Sequence, residues 1–309
     1  MDYIETLNAT PIQCSCAAIG AFDGVHTGHQ VIFKKAMEGA RQANCQAVAI
    51  TFDPLPAVFF RKIKTDHVLT SLKERISLIK SLGIEQVIVL KFDQQLADVE
   101  AAEFMTHVKK AIGLQKLIAG WNFNLGKNRA GTVDVLKEIG ARQGFEVEVV
   151  CPIKYEGEII SSSNIRKLLK KNEVVKARIF LGRPYTITGK VVHGEHRGKH
   201  LGIPTANLSF PGELIIPGNG VYVTRATISK KKYIAVTNVG VHPTFENPLT
   251  TPRIEPHLLD TNESFYGKTL RLEFLEFIRP EVKFPDAGAL VDQIQLDIQK
   301  TRELLRNEP

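Results

Sequence analysis

The chain has 309 residues, more than one domain usually contains, which favours two domains. Its composition, 43% hydrophobic and 24% charged, is that of a globular protein and excludes a low-complexity or fibrous chain. No apolar run approaches the roughly 18 residues needed to span a bilayer, so we predict a cytoplasmic protein with no membrane partner. A net charge of +7 favours anionic partners.

Residues 1–182 alternate short apolar runs with amphipathic helical patterns. The predicted strands are Ala17–Ile19, Ala47–Phe52, Gln86–Leu90, Leu117–Ala119 and Glu146–Cys151. The predicted helices between them are Val31–Arg41, Leu72–Leu82, Ala101–Ile112 and Val133–Gln143. This alternation predicts an α/β domain with a doubly wound parallel sheet, whose ligands bind beyond the carboxyl ends of the strands.

Residues 183–309 change to a period of two, as in "YTITGKVVHG", "GVYVTRATI", "KKYIAVTNVG" and "LRLEFLEFI". Alternation of this kind between Gly, Pro and Asn turns predicts an antiparallel barrel or sandwich. Leu290, Ile294, Ile298 and Leu305 then form the apolar stripe of a final helix that packs on it. The domain boundary is predicted between residues 182 and 183.

The stretch "GAFDGVHTGH", residues 20–29, follows the first strand and opens the first long helix. A helix N-terminus presents unpaired N–H groups and partial positive charge, which suit a phosphate. Gly24 and Gly28 allow close backbone approach, while His26 and His29 add donors that can become cationic. A partial metal site and a pair of ordinary polar histidines remain alternatives.

A second polar cluster, "ISSSNIR", places Ser161, Ser162 and Ser163 at the start of a helix, with Arg166 in its first turn. One serine is enough to cap a helix, and ordinary capping is the alternative explanation. Hydroxyls, helix N–H groups and a guanidinium together can hold a triphosphate.

These stretches, with "GWNFNLGKNRAG" at residues 120–131, resemble motifs of the bacterial bifunctional riboflavin kinase/FAD synthetases. The resemblance implies that the first domain transfers an adenylyl group from ATP to FMN, with Asn122 near the nucleotide and Leu125 where an aromatic residue is usual. The ATP-binding residues it implies in this domain are Gly20, Phe22, Asp23, Gly24, His26, His29, Asn122, Ser162, Ser163 and Arg166.

The stretch "TFDPLPAVFF", residues 51–60, is similar to a family motif but has Leu55 in place of the usual histidine. Pro54, Pro56, Phe59 and Phe60 are predicted to form a rigid apolar wall, and the flavin-binding candidates in it are Pro54, Pro56 and Phe59. A proline-bounded loop with no ligand is the alternative. The departures at Leu55 and Leu125 also leave open a chain in which only one activity survives.

The stretch "GKVVHGEHRGKHLGIPTANL", residues 189–208, resembles the riboflavin kinase signature. The resemblance implies that Thr205 and Asn207 bind Mg²⁺ and that a glycine-rich flap covers the ATP phosphates. The residues involved are Gly189, Gly194, Gly198, Gly202 and Pro204. A metal cluster of His193, His196 and His200 is a less favoured alternative, because no cysteine or suitably placed carboxylate is near.

The stretch "RIEPHLLD", residues 253–260, resembles a segment that supplies the kinase with its general base, which makes Glu255 the candidate beside the flavin. In the closing segment that resembles the family's, Arg279 and Phe284 are structural or lie near the flavin. The predicted partners are riboflavin, FMN, FAD and ATP with Mg²⁺, and no nucleic acid. The remaining alternatives are a flavin-responsive regulator or nucleic-acid binder, suggested by the basic charge, and a nucleotidyltransferase for another phosphorylated metabolite fused to an unrelated barrel. Cys14 and Cys16 are expected to be buried free thiols.

Overall fold

The computed structural model describes residues 3–9, 12–63, 65–193, 203–240, 253–261 and 263–306. The chain forms two compact units, Met1–Ser162 and Ser163–Pro309. The division between the units precedes the predicted domain boundary, and the functional boundary at 182/183 stays a prediction. Within the described ranges, no helix is both long and apolar enough to cross a membrane.

The first unit contains a five-stranded parallel sheet covered by helices. Its strands and two small hairpins are β1 Ser15–Ile19, β2 Gln46–Asp53, β3 Gln86–Lys91, β4 Leu114–Gly120, β5 Asn124–Leu125, β6 Gly131–Thr132, β7 Glu146–Val150, β8 Lys154–Tyr155 and β9 Glu158–Ile159. Its helices are α1 Tyr3–Asn8, α2 Thr27–Ala43, α3 Pro56–Arg61, α4 Leu72–Ser81, α5 Gln94–Ala97, α6 Ala101–Ile112 and α7 Val133–Gln143.

The strand order β3-β2-β1-β4-β7, with every neighbouring pair parallel, confirms the predicted doubly wound sheet. Alternate residues of each strand belong to different cores: Ile19 and Ile50 face one, Ala18 and Ala49 the other. The chain moves from one side of β1 to the other between β3 and β4, so the carboxyl end of β1 lies at the switch point where such folds bind ligands. The "GAFDGVHTGH" loop begins there.

Among its described residues, the second unit contains a six-stranded antiparallel barrel and three helices. Its elements are α8 Ser162–Lys170, α9 Val174–Leu181, β10 Tyr185–Val192, β11 Asn207–Ser209, β12 Gly220–Ile228, β13 Lys231–Gly240, β14 Arg253–Leu258, β15 Thr269–Arg279 and α10 Ala287–Arg306. The sheet order is β11-β10-β15-β12-β13-β14. The N–H of Ala206 donates to the carbonyl of Pro256 over 2.9 Å, joining the two edges and nearly closing the barrel. The predicted barrel is therefore confirmed.

The final helix α10 packs on the barrel, as its apolar stripe predicts. Ile298 and Leu305 contact a buried cluster that includes Val221, Val223 and Leu275. Strand β15, which precedes this helix in the chain, lies between β10 and β12 in the barrel. The helix therefore covers the core of the second unit.

One cysteine expectation is wrong. Cys14 forms a disulfide with Cys45, while Cys16 is the buried free thiol. The pairing follows from strand register: Ser15 lies opposite Gln46 in adjacent parallel strands, so the residues just before them are also neighbours. Their Cα atoms are 4.9 Å apart. The two cysteines are 31 residues apart in the sequence and become neighbours only when β1 and β2 pair in this register.

Candidate active sites

The loop after β1 turns sharply before α2 begins. The N–H of Gly20 still donates to the carbonyl of Ile50 in β2, over 3.1 Å. Phe22, Gly24 and Val25 then take φ angles of 50°, 82° and 43°. Positive φ is costly for a β-branched residue, and such backbone conformations concentrate at functional sites.

The two motif histidines meet at the start of α2. His26 is the N-cap, and its Nδ1 accepts the N–H of His29 over 3.3 Å. In its neutral form the His26 ring therefore carries its proton on Nε2. The two imidazoles stack with centroids 3.6 Å apart. A Cβ on Gly28 would lie 3.1 Å from the His26 ring, so any larger residue there would require that ring to shift.

His29 is held in its neutral form. Burial lowers its pKa well below the ordinary histidine value, and the charges of His26 and Arg75 lower it further. Its ring packs edge-on against Phe22, with centroids 5.3 Å apart. Its Nδ1 is buried and finds no hydrogen-bond partner among the described residues. A bound anion would favour protonation of this imidazole and supply the missing partner.

Asp23 is 2% exposed and its carboxylate faces the protein interior. It accepts the N–H of Leu69 at 2.9 Å and that of Thr70 at 3.2 Å. The Thr70 hydroxyl in turn accepts the N–H of Gly24 at 3.1 Å. These hydrogen bonds hold the motif loop against residues 69–70, so Asp23 supports the predicted nucleotide site through the backbone that it binds.

The first residue of the serine cluster's helix contacts the motif loop. The Ser162 hydroxyl donates to the carbonyl of Asp23 over 2.8 Å. Gly28 also lies beside this segment, since its Cβ would be 3.8 Å from the carbonyl of Ile160. Ser163 and Arg166 belong to the first turn of α8 in the second unit, and their nucleotide-binding role stays a prediction.

Asn122 follows the carboxyl end of β4, which neighbours β1 across the switch point. Its side chain is exposed, and the backbone turns back there through a bond of 2.9 Å from the Phe123 N–H to the Gly120 carbonyl. Leu125 pairs with Gly131 in the β5–β6 hairpin and packs on a core. The structure thus brings the Asn122 loop to the same end of the sheet as the histidines.

The predicted flavin wall lies beyond β2. Leu55 is 4% exposed and precedes α3 without a side-chain cap, while Pro54 and Phe59 are more accessible. The Phe59 ring lies 5.4 Å from Phe60 and 5.4 Å from Phe92, centroid to centroid. The three phenylalanines therefore form an aromatic cluster.

Sequence reasoning missed Phe92, although a signal was present. Phe92 directly follows β3, and its N–H donates to the carbonyl of Asp53 over 2.9 Å. Parallel strands end at one edge of a sheet, so an aromatic residue just after β3 was a candidate neighbour for the loop after β2. Pro56, the first residue of α3, lies in the same loop.

Arg75 was also missed. It is 1% exposed within α4, and its guanidinium donates to the carbonyls of Ala21 and Phe52 over 3.1 Å and 2.8 Å. The available signal was an arginine on the apolar stripe of a helix, four residues before the buried Ile79. Such a position removes a cation from water and requires polar partners inside the protein.

The described residues of the predicted kinase motif lie within the second unit. The N–H of Ala206 donates to the Pro256 carbonyl over 2.9 Å, and the His257 ring is 2.8 Å from the Pro204 carbonyl, Nδ1 to oxygen. Thr205 and Asn207 therefore lie on either side of Ala206, whose N–H is bonded to the same strand, β14, that carries Glu255. Glu255 is partly buried and lies opposite Asn238 of β13.

Part of the predicted phosphate flap lies outside the described residues. Gly194, Gly198 and Gly202 fall there, as do His196 and His200. Gly189 is described, and a Cβ on it would lie 2.3 Å from the Ser209 carbonyl, so the β10–β11 pairing requires glycine.

The donors predicted to bind metal have chemistry that fits magnesium. Thr205 offers a hydroxyl and Asn207 an amide oxygen, both hard donors that suit Mg²⁺ completed by phosphate and water. Among the described residues, no three His, Cys, Asp or Glu side chains form a metal-binding group. His193 instead stacks on Tyr266, with centroids 4.0 Å apart.

Arg279 and Phe284 make structural contacts, which was one of the two roles expected for them. The Arg279 guanidinium donates to the Asp297 carboxylate of α10 over 2.8 Å to 3.1 Å. It also lies 5.7 Å from the Phe284 ring centroid. The pair joins the end of β15 to the final helix.

Both halves of the chain match known protein families. Residues 9–164 match FAD synthetase and residues 181–305 match riboflavin kinase. The bifunctional riboflavin kinase/FMN adenylyltransferase of Bacillus subtilis is 34% identical over 95% of this chain and 93% of its own length. That of Listeria monocytogenes is 33% identical over 92% and 90%.

A solved structure from Streptococcus pneumoniae, described as a macrolide-efflux protein, superposes with a TM-score of 0.88 at 32% identity. It covers 98% of this chain and 97% of its own. The fold and the two family matches identify a transferase. The chain belongs to the bifunctional riboflavin kinase/FMN adenylyltransferase family.

Proposed function

We propose that this enzyme phosphorylates riboflavin to FMN in its second domain and adenylylates FMN to FAD in its first. The supporting observation is that each unit gathers its own motif residues: His26, His29 and Ser162 around one loop, and Thr205 beside the Glu255 strand in the barrel. No comparison favours the loss of either activity. We place the domain boundary at 182/183, the protein in the cytoplasm, and small molecules as its substrates.

The kinase step needs a proton acceptor. The ribityl 5′-hydroxyl attacks the γ-phosphorus of ATP and ADP leaves, so the hydroxyl proton must be taken up. We assign that role to the carboxylate of Glu255, with Asn207 and Glu255 beside the flavin. Gly189, Gly194, Gly198, Gly202 and Pro204 belong to the segment that holds ATP.

Mg²⁺ is assigned to Thr205 and Asn207, where it would neutralise phosphate charge during transfer. The chain's own task at this site is to hold both oxygen donors at a fixed place. The two bonds between residues 204–206 and the β14 strand serve that purpose.

The adenylyl step needs no general base. The phosphate of FMN, ionised near neutral pH, attacks the α-phosphorus of ATP, and pyrophosphate leaves. The protein must align two anions and neutralise charge. We assign this role to His26, His29, Ser162, Ser163 and Arg166. Asn122 and the loop residues Gly20, Phe22, Asp23 and Gly24 complete the nucleotide site, and Pro54, Pro56 and Phe59 the flavin site.

The test is to incubate the purified chain with MgATP and either riboflavin or FMN and to separate the flavins by chromatography. Both FMN and FAD are expected from riboflavin, and FAD from added FMN. FMN without FAD would leave only the kinase, and FAD from FMN with riboflavin untouched only the transferase.

Two variants separate the sites. Glu255→Gln is expected to lower kinase turnover by about 10²- to 10⁴-fold while FAD is still made from FMN. His29→Ala is expected to lower adenylyl transfer by about 10²- to 10³-fold and to leave the kinase active. Glu263→Gln, at an exposed glutamate, and His107→Ala, on α6, are matched controls. Equal loss of both reactions in either variant contradicts the assignment of sites to domains.

A further inference from the structure

Arg75 connects two loops that face the predicted substrates of the first unit. Its Nη1 donates to the carbonyl of Ala21 over 3.1 Å, and its Nη2 to the carbonyl of Phe52 over 2.8 Å. Ala21 lies in the nucleotide motif, directly before Phe22. Phe52 lies two residues before Pro54, the start of the predicted flavin wall. One side chain thus binds the backbone on the nucleotide side and on the flavin side.

The guanidinium is costly to bury. Arg75 is 1% exposed, and burial lowers its pKa below the ordinary arginine value, although the charges of Asp23 and Asp53 oppose that shift. Its Nη2 lies 3.7 Å from the Asp53 carboxylate, which is itself half exposed, so the ion pair is loose. The two carbonyl bonds are shorter than this contact, so they set the place of the side chain.

We infer that Arg75 is a positioning residue for adenylyl transfer, which sets the separation between the nucleotide loop and the flavin loop. This inference rests on the proposed function of the first domain. Because the side chain is buried, it acts through the backbone it holds and not by contact with a substrate.

The planar fork of arginine suits this task. It presents two N–H groups in fixed relative directions, whereas an ammonium is a point donor on a flexible stem. The Ala21 carbonyl accepts a second hydrogen bond from the Thr51 hydroxyl, over 3.1 Å, whereas the Phe52 carbonyl accepts the shorter bond from Arg75, over 2.8 Å. Transfer between two bound molecules is sensitive to such spacing, since a misplacement of about 1 Å can cost about 10²-fold in rate.

The primary test compares Arg75→Lys with the wild-type chain. Lysine keeps the positive charge and most of the stem but loses the fork. FAD formation is measured at varied FMN and ATP, ATP binding by calorimetry, and unfolding by urea. We expect kcat to fall about 10²-fold while the Kd for ATP alone changes little. Lys80→Met, at an exposed cation on the same helix, is the matched control and should leave kcat unchanged.

Thr51→Val is the second variant, which removes the other donor to the Ala21 carbonyl and keeps the buried cation. A smaller fall in kcat is expected, again without a matching loss of ATP affinity. If Arg75→Lys does not fold, this variant carries the test, and an unchanged kcat then overturns the inference.

The possible results distinguish a failure of the inference about Arg75 from a failure of the proposed adenylyl transfer. An active wild type with Arg75→Lys unchanged in kcat overturns the inference alone. A fall in kcat that matches the loss of ATP binding and of folded protein shows a purely structural role and also overturns it. A wild-type chain that makes no FAD from FMN overturns the proposed function and the inference together.

Discussion

The buried ion pair between Arg279 and Asp297 gives a stability prediction with a built-in control. The Asp297 side chain is 3% exposed and that of Arg279 is 18% exposed. The Asp297 carboxylate accepts three contacts from the guanidinium and one from the Gln293 amide, at 2.8 Å to 3.1 Å. Asp297→Asn keeps the shape but leaves the arginine charge largely buried without its counter-ion.

Breaking a buried pair in this way costs about 3–5 kcal/mol. Because Arg279 keeps some access to water, we expect the lower end, about 3 kcal/mol. That corresponds to about a hundredfold increase in amide exchange through opening of the second unit. Hydrogen exchange with mass spectrometry on peptides of β15 and α10 measures it.

The matched control is Asp260→Asn. Asp260 pairs with Arg302 of the same helix at 2.7 Å, but these side chains are 76% and 54% exposed. An exposed pair contributes about 0.2–1 kcal/mol, so exchange in α10 should change by less than about tenfold. Equal effects of Asp297→Asn and Asp260→Asn would refute the reasoning, because burial would then not decide the cost.

Three further predictions concern single side chains. Gly28→Ala should lower FAD formation and spare the kinase, because its Cβ, 3.1 Å from the His26 ring, displaces that imidazole. The lowered pKa of His29 means that the unfolded chain binds its proton first. The free energy of unfolding of the first unit should therefore fall as pH drops below about 6.5, by at most about 1.4 kcal/mol per pH unit, and His29→Gln should remove this slope in urea unfolding. Tyr222→Phe should lower the free energy of unfolding of the second unit by about 1–2 kcal/mol, because the Asn172 amide oxygen loses a hydroxyl donor at 2.8 Å. Hydrogen exchange of the second unit measures this change.

Each of these predictions has a control. Gly212→Ala introduces a Cβ where nothing lies within 4 Å, so both activities should persist. His107→Gln should keep the pH slope of the wild type, measured through the fluorescence of Trp121, the only tryptophan. Tyr233→Phe, at a tyrosine that packs edge-on against Phe265, should cost less than Tyr222→Phe. A Gly28→Ala chain that makes FAD normally would contradict the role given to the histidine stack.

Periodicity was sufficient to predict most of the fold. The run Ala47–Phe52 is buried throughout β2, as a central parallel strand requires, and α4 ends one residue before its predicted limit at Leu82. The place of α9 was not predictable in the same way. Its buried residues, Val174, Ala177, Phe180 and Leu181, follow one another closely in the sequence, whereas the strands that they cover, β10 and β15, lie farther along the chain.

The site was predicted where its residues are contiguous and missed where strand register brings them together. His26 and His29 lie within one short motif, so their spacing and residue types are visible in the sequence. Phe92 and Arg75 reach the same end of the sheet from separate segments. Lys91 pairs with Asp53 in the β2–β3 register, and this pairing places the residue after β3 beside the predicted flavin loop. Register is a property of the assembled sheet and cannot be read from either segment alone.

The last prediction concerns Leu55, which stands where the family usually has a histidine. It asks whether this leucine lowers the rate of FAD formation. The side chain is 4% exposed, so a histidine at this place would be an imidazole in the protein interior. Pro54 and Phe59, the candidates of the predicted flavin wall, are more accessible than Leu55. Leu55→His is therefore expected to lower the free energy of unfolding of the first unit by about 1–3 kcal/mol, through a buried polar group, without raising kcat for FAD formation. Urea unfolding followed at Trp121 and steady-state FAD formation measure the two quantities. A variant that gains turnover at unchanged stability would show instead that Leu55 costs this enzyme a catalytic contact.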